Sequence, residues 1–298
     1  MSPVDMARES DVVQTSYEII RAAAGRLRDP ELRKAVLSVI ENPAPTIASA
    51  DQSAVLAALK KEGLIAAGRT SVFPKFSDTT RSPQPTWSAP GSGYGSHHAY
   101  PGGLCTHVAL NVVSAESLVA AYDNIDGLKL DFDHAVGGEI LHDLHKPWVF
   151  QWEADNACRK EEALAGTGEH HVLSIAESIK RGLPAEFVVA QACAHEHPGS
   201  ASGEAQVVGW LRAAAIIAGV HPPRSTPSRP ASSPPTARPC RCRAASRAGS
   251  YTSPTTTGSS PCPPASGSSR PFETSLRRSG ACAMKRPSTR CATTCSAT

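Results

Sequence analysis

The chain is 298 residues long with a net charge of +3, enough length for one large or two small domains with a real core. That balance hides a split: residues 1–221 carry 18 basic and 26 acidic side chains, while residues 222–298 carry eleven Arg, Lys285 and one acid, Glu273. An acidic first part argues against an extended nucleic-acid-binding face. The opening MSPVDMARESDVVQ has acids where a secretion signal needs a basic and then an apolar region. No apolar run approaches the ~18–20 residues of a membrane span. The expectation is therefore a cytoplasmic protein with no membrane partner, in which Cys105, Cys158 and Cys193 are reduced, packed thiols.

In chain order, DVVQTSYEIIRAAAGRLR (11–28) repeats its apolar positions at helical spacing, with Asp11 as the predicted N-cap. Asp29-Pro30 breaks this pattern and opens a second helix, ELRKAVLSVIEN, which Pro43 and Pro45 stop. A third helix is predicted from Asp51 to Glu62, with Gly63 at its C-terminal cap. Residues 68–103 are rich in Gly, Pro, Ser and Thr and read as a long loop of the kind that usually carries function. Within it GSGYG (Gly91–Gly95) is discounted as a phosphate loop, because it follows no strand and lacks the Lys-Ser/Thr ending. Further helices are predicted at 104–122, 133–146, 169–182, 184–197 and 204–219. Pro184 suits a first turn, and Pro147 and Pro198 suit helix ends. Strand-like alternation is nowhere sustained, so the fold class is all-α.

The last segment reads differently. Residues 222–298 hold six of the nine cysteines, no Ile, Val or Asp and one Leu, Leu276. Such a segment cannot bury a core and is expected to be disordered. Its bias to Arg, Pro, Ala, Ser and Thr is that of GC-rich DNA translated out of frame. TTTGSSP (Thr255–Pro261), for instance, can be encoded so that the neighbouring frame reads DNYWVFS. A frameshift is expected near Pro222, where HPP implies a cytosine run; resequencing that locus tests it. The chain divides into an N-terminal helical segment (1–66), a loop (67–94), a helical domain (95–221) and the tail (222–298).

Chemistry concentrates in four histidines and an aspartate. His107 lies at the start of one predicted helix, His142 and Asp143 late in the next, His170 at the start of a third, and His195 at the end of a fourth. Helical bundles build metal sites from side chains on facing helices. A lone helical His is far more often structural than a ligand; the informative feature is the order His…His-Asp…His…His.

That order, with LHDLHK (Leu141–Lys146), HHAYPGGLCTH (His97–His107), EHHVLS and CAHEHPG, resembles the HD-domain superfamily of metal-dependent phosphohydrolases over roughly residues 95–220. The loop before His107 is similar to that of 3′–5′ exoribonuclease-type members. The resemblance implies an HD-like helical bundle behind an N-terminal helical layer. It implies His107, His142, Asp143, His170 and His195 as ligands of one or two divalent transition-metal ions (Mn, Fe, Zn, Co or Ni), with Asp143 able to bridge. His171 is the alternative to His170. Asp143 and Lys146 would be catalytic, and His98, Tyr100 and Lys146 would contact substrate. The substrate would be a small phosphorylated molecule or nucleotide, with nucleic acid the weaker alternative. His145 and His197 are read as surface residues or as supports for neighbouring ligands. The sequence departs from the family at the closing aspartate. Ala215 occupies the matching position, and VVGWLRAAAIIAGV holds no acid, which leaves Glu139 or Glu196 to be recruited, or one metal only. Two competing readings follow: a degenerate HD module that binds a ligand or partner without catalysis, and a di-iron oxygenase of related fold.

Overall fold

A computed structural model describes residues 1–75, 83–93 and 96–220. The out-of-frame, disordered tail expected at 222–298 and the Tyr94-Gly95 end of GSGYG lie outside them. The described residues are mostly helical. In order come α1 (Pro3–Glu9), α2 (Asp11–Gly25), α3 (Pro30–Glu41), α4 (Gln52–Lys61), α5 (Gly103–Ala121), α6 (Phe132–Leu141), α7 (Lys146–Val149), α8 (Glu169–Lys180), α9 (Ala185–Ala192) and α10 (Ala201–Ala218). A two-stranded antiparallel hairpin, β1 (Ala163–Leu164) with β2 (Thr167–Gly168), precedes α8.

Local chemistry sets the boundaries, in places differently from the sequence expectation. Ser10, not Asp11, caps α2 by accepting from the Val13 amide, and Asp11 is the first helical residue. The extra helix α1 is capped in the same way by Ser2. Asp29 accepts from the Glu31 and Leu32 amides at 2.8 and 3.2 Å, and Pro30 follows at the first helical position, where no amide is needed. Gly63 adopts φ +69° just past α4.

The helix predicted over 133–146 is split. After Leu141 the chain turns, with the Lys146 amide donating to Asp143 O at 3.0 Å, and Pro147 then sits in the first turn of the short α7 rather than at a helix end. Proline has no amide to give Asp143 O, so a continuous α-helix through this point would lose that bond. Pro184 caps α9 rather than lying in its first turn. α9 stops at Ala192, three residues short of His195.

Two hydrophobic clusters organise the core. α1–α3, α5 and α6 supply the first, joined by Phe187 of α9. The segment 47–73, residues 148–150 and α8–α10 supply the second. Phe187 is fully buried, worth roughly 2–3 kcal/mol. A Cβ at Gly137 would stand 2.8 Å from its ring, so the missing side chain lets α9 close on α6. The first 66 residues pack against the rest of the described chain through both clusters. Contrary to the sequence reading, one helix among the described residues, Gly103–Asp126, is long and apolar enough to cross a membrane, with mean hydropathy 1.4. Here Leu104, Val108 and Val112 of that helix are buried in the first cluster, against α2 and α6.

Gly103 fixes the loop before α5. A Cβ there would lie 1.9 Å from the carbonyl oxygen of His98, so Gly103→Ala must push the His97-His98 backbone aside. The expected cost is about 1–3 kcal/mol, a melting point lower by about 3–10 °C. Gly209→Ala, in open space on α10, is the contrast and should raise it slightly. Equal shifts in the two variants would refute the close contact.

Candidate metal centre

The split after Leu141 is what aims the central carboxylate. His142 caps α6, Asp143 and His145 follow in the turn, and all are buried. His107 comes from the first turns of α5, His170 from the second position of α8, and His195 from the turn after α9. His107 and His142 belong to elements of one hydrophobic cluster, α5 and α6, and His170 to an element of the other, α8, so the centre lies where the clusters meet.

The two oxygens of Asp143 divide these imidazoles between them. Oδ2 stands 3.1 Å from His107 Nε2 and 3.0 Å from His142 Nε2, while Oδ1 stands 3.3 Å from His170 Nε2 and 3.5 Å from His195 Nε2. Adjacent ligands of one ion with ~2.1 Å bonds are about 3 Å apart, the spacing seen here. These contacts have hydrogen-bond distance without hydrogen-bond angles. Asp143 Oδ1 and His195 Nε2 are buried with no hydrogen-bond partner, a costly state unless something else satisfies them, while Oδ2 meets the Lys146 ammonium. Among the described residues two donor groups that share Asp143 could hold a metal, His107, His142 and Asp143, and Asp143, His170, His171 and His195, and a third, His97, His98 and His107, adjoins them.

His142 Nδ1–H donates to Glu139 O at 2.6 Å, which turns Nε2 toward Asp143; burial would lower this ring, but the Asp143 carboxylate outweighs it and raises it, so an ion would displace a proton from Nε2. Burial pushes His195 down to about 4, with His142 and His170 adding to it against the pull of Asp143, so its ring is neutral at neutral pH. His171, buried beside His170 and His195 and stacked on His195 at 3.4 Å between ring centres, is lowered further. Burial would raise Asp143, but His142 and Lys146 outweigh it and hold the carboxyl well below the usual range. Four imidazoles and a carboxylate suit Mn, Fe, Co, Ni or Zn better than Mg, and the fit to such ions rests on the unsatisfied Asp143 Oδ1 and His195 Nε2.

Lys146 is not a solvated helix end. It is buried, its Nζ 2.5 Å from both Asp143 Oδ2 and Gly91 O. His145 is likewise not at the surface: it is 1% exposed, with Nε2 3.4 Å from Glu177 and its amide donating to Ser174 Oγ. His197 is exposed.

A cavity of about 410 Å³ opens over the cluster. His107, His142, Lys146, His170, His171 and His195 line it together with His97, Lys160, Glu161, Asn111 and Phe150. Of the predicted substrate contacts, Lys146 lines this cavity. The His98 ring sits 5.4 Å from that of His107, its Nδ1 3.0 Å from His97 Nδ1. Tyr100 lines a different cavity, with Trp152 and Cys158. No α10 residue, Ala215 included, lines the cavity among the described residues, nor do Glu139 and Glu196. The acid that does is Glu161, whose Oε2 accepts from His170 Nδ1 at 2.5 Å. No sequence signal marked Glu161 or Lys160 beyond their being polar residues in loops, whereas His97 opens the HHAYPGGLCTH stretch.

No known family profile matches the chain, and no solved structure matches it. Among curated proteins it is similar to the dihydroneopterin 2′,3′-cyclic phosphate phosphodiesterase of Methanocaldococcus jannaschii, at 27% identity over 180 residues, covering 58% of this chain and 56% of that protein. The match spans about half the length of that relative.

Proposed function

We propose that the chain is a metal-dependent phosphohydrolase of the HD superfamily that cleaves a small phosphodiester, with His107, His142, Asp143, His170 and His195 holding one or two divalent transition-metal ions. The observation that carries this reading is the split of Asp143 between two groups of imidazoles. The similarity to a phosphodiesterase that acts on a cyclic phosphate supports the reaction class. Bound ions would lower the pKa of a water, polarise the phosphoryl group and neutralise its charge.

The chain's own residues do the rest. Asp143 and the imidazoles fix the position of the centre. Lys146 holds a buried positive charge against Asp143, where it can orient an anionic ester. Lys160 and His97 bring further donors to the cavity wall, and Phe150 offers an apolar face 5.4 Å from the His170 ring. The cavity's volume suits a substrate the size of a nucleotide or pterin. The alternative, a degenerate HD module, draws on the lack of any α10 acid at the cavity.

The test is hydrolysis by the full chain of bis(p-nitrophenyl) phosphate and of 2′,3′-cyclic nucleotides after loading with Mn²⁺ or Fe²⁺. We expect turnover that a chelator abolishes and metal restores. Stoichiometric metal with no turnover on any ester would favour the degenerate module instead.

A further inference from the structure

The acid that lines the cavity comes from the irregular stretch between α7 and α8, and that stretch is fastened on both sides of it. Arg159 donates to Val149 O at 3.1 Å and to Glu169 Oε1 at 2.6 Å. The Glu162 amide also donates to Glu169 Oε1, and Arg69 pairs with Glu162 at 2.6 Å. Glu169 is fully buried, so this network is a fixed anchor and residues 159–162 have little freedom. Gly168 completes the seat: a Cβ there would stand 2.4 Å from Glu161 Oε2. A bare α-carbon thus leaves the space into which the Glu161 carboxylate fits, against His170.

The electrostatics of the centre give this contact a purpose. The donor groups around Asp143 contain that one carboxylate and otherwise only imidazoles, and Lys146 sits 2.5 Å from it. The negative charge facing a divalent ion is therefore small. The matching helix, α10, adds none. The Glu161 carboxylate sits against the far nitrogen of a ring whose Nε2 is 3.3 Å from Asp143 Oδ1. Ligating histidines that donate their second nitrogen to a carboxylate are fixed in tautomer and made more basic.

We propose that Glu161 is a positioning residue that holds His170 with Nε2 free toward Asp143 and, through that ring, supplies the negative charge the donor set otherwise lacks. The inference rests on the metal-centre reading above and adds a residue to it. Glu161 makes two separable contributions, orientation and charge. Glutamine keeps an acceptor for Nδ1–H and loses the charge; alanine loses both.

The experiment is metal titration of the full chain, stripped and reloaded with Co²⁺, for wild type, Glu161→Gln and Glu161→Ala. Calorimetry reads affinity and the visible d–d bands read the ligand field. The expected result is an affinity for one ion weakened about 10–100-fold in Glu161→Ala, by less in Glu161→Gln, with shifted bands and the metal-free melting point unchanged. Wild-type affinity and spectrum in both variants would overturn the proposal. So would an equal fall in metal-free stability and in all ion binding, which would make Glu161 merely structural. A folded wild type that takes up no ion would instead overturn the metal-centre reading itself, and this inference with it.

Discussion

Asp143→Asn is expected to lower hydrolysis by about a thousandfold or more and to strip ions from the purified protein. Several kcal/mol of charge stabilisation by the ions would go with the carboxylate, and each 1.36 kcal/mol is tenfold in rate. The asparagine keeps the volume, but one of its two atoms becomes an NH₂ group facing imidazole lone pairs at the 3.0–3.5 Å spacing recorded for the oxygens. The same change leaves Lys146 buried with its anionic partner gone, and orphaning one member of a buried pair costs about 3–5 kcal/mol. The single variant should therefore also melt early. Asp143→Asn with Lys146→Met separates the two effects. With Lys146→Met no unpaired charge is left buried, so the double variant should regain stability while still binding no ion. Elemental analysis and thermal melts check both. Full ion content in the single variant would end the assignment of Asp143 as the shared ligand.

The parts of this centre that could be read in advance are those that follow from helical periodicity and from the adjacent His-Asp pair. His107, His142, Asp143, His170 and His195 were separated by chain order alone, and the fold brings their ring nitrogens to within 3.5 Å of one carboxylate. What stayed hidden depends on loops and on breaks in helices. The sequence places Pro147 at a helix end because proline stops helices, but proline equally suits a first turn, and the local 143–146 hydrogen bond decides for the latter. Glu161 lies on a stretch with no periodicity, so nothing placed it beside His170. The sequence points to His98 and Tyr100 rather than to His97, because a loop's direction depends on contacts such as Gly103 against His98, distant from any propensity. The apolar length of α5 was missed because its polar residues, His107, Asn111 and Ser114, interrupt the run without making the helix polar as a whole.

Glu177→Gln is expected to cost about 3 kcal/mol at pH 7, and the cost should shrink in acid. Glu177 is fully buried and accepts from the Thr46 amide at 2.9 and 3.0 Å, the Ile47 amide at 3.1 Å and Arg181 Nε at 2.7 Å, with His145 Nε2 at 3.4 Å. Burial opposes its ionisation, yet His145, the Thr46 amide and Arg181 outweigh burial and lower the carboxyl from 4.5 to about 2. A group whose folded pKa lies below its unfolded one stabilises the fold fully above the unfolded value and ceases to do so as pH falls through the folded value. That drop corresponds to about 3 kcal/mol above pH 5 or so, of which about 2 kcal/mol is gone by pH 3. Glutamine does not titrate, so the gap between wild type and variant should narrow over this window in urea unfolding curves. A gap of constant size from pH 7 to pH 3 would mean that shape and hydrogen bonding, not charge, hold the Thr46–Ser49 turn to α8. The consequence reaches the metal centre, because α8 also accepts the His145 amide through Ser174. Loosening Glu177 releases the second of the two ties that hold His145, two residues beyond Asp143, and ion affinity should fall along with stability.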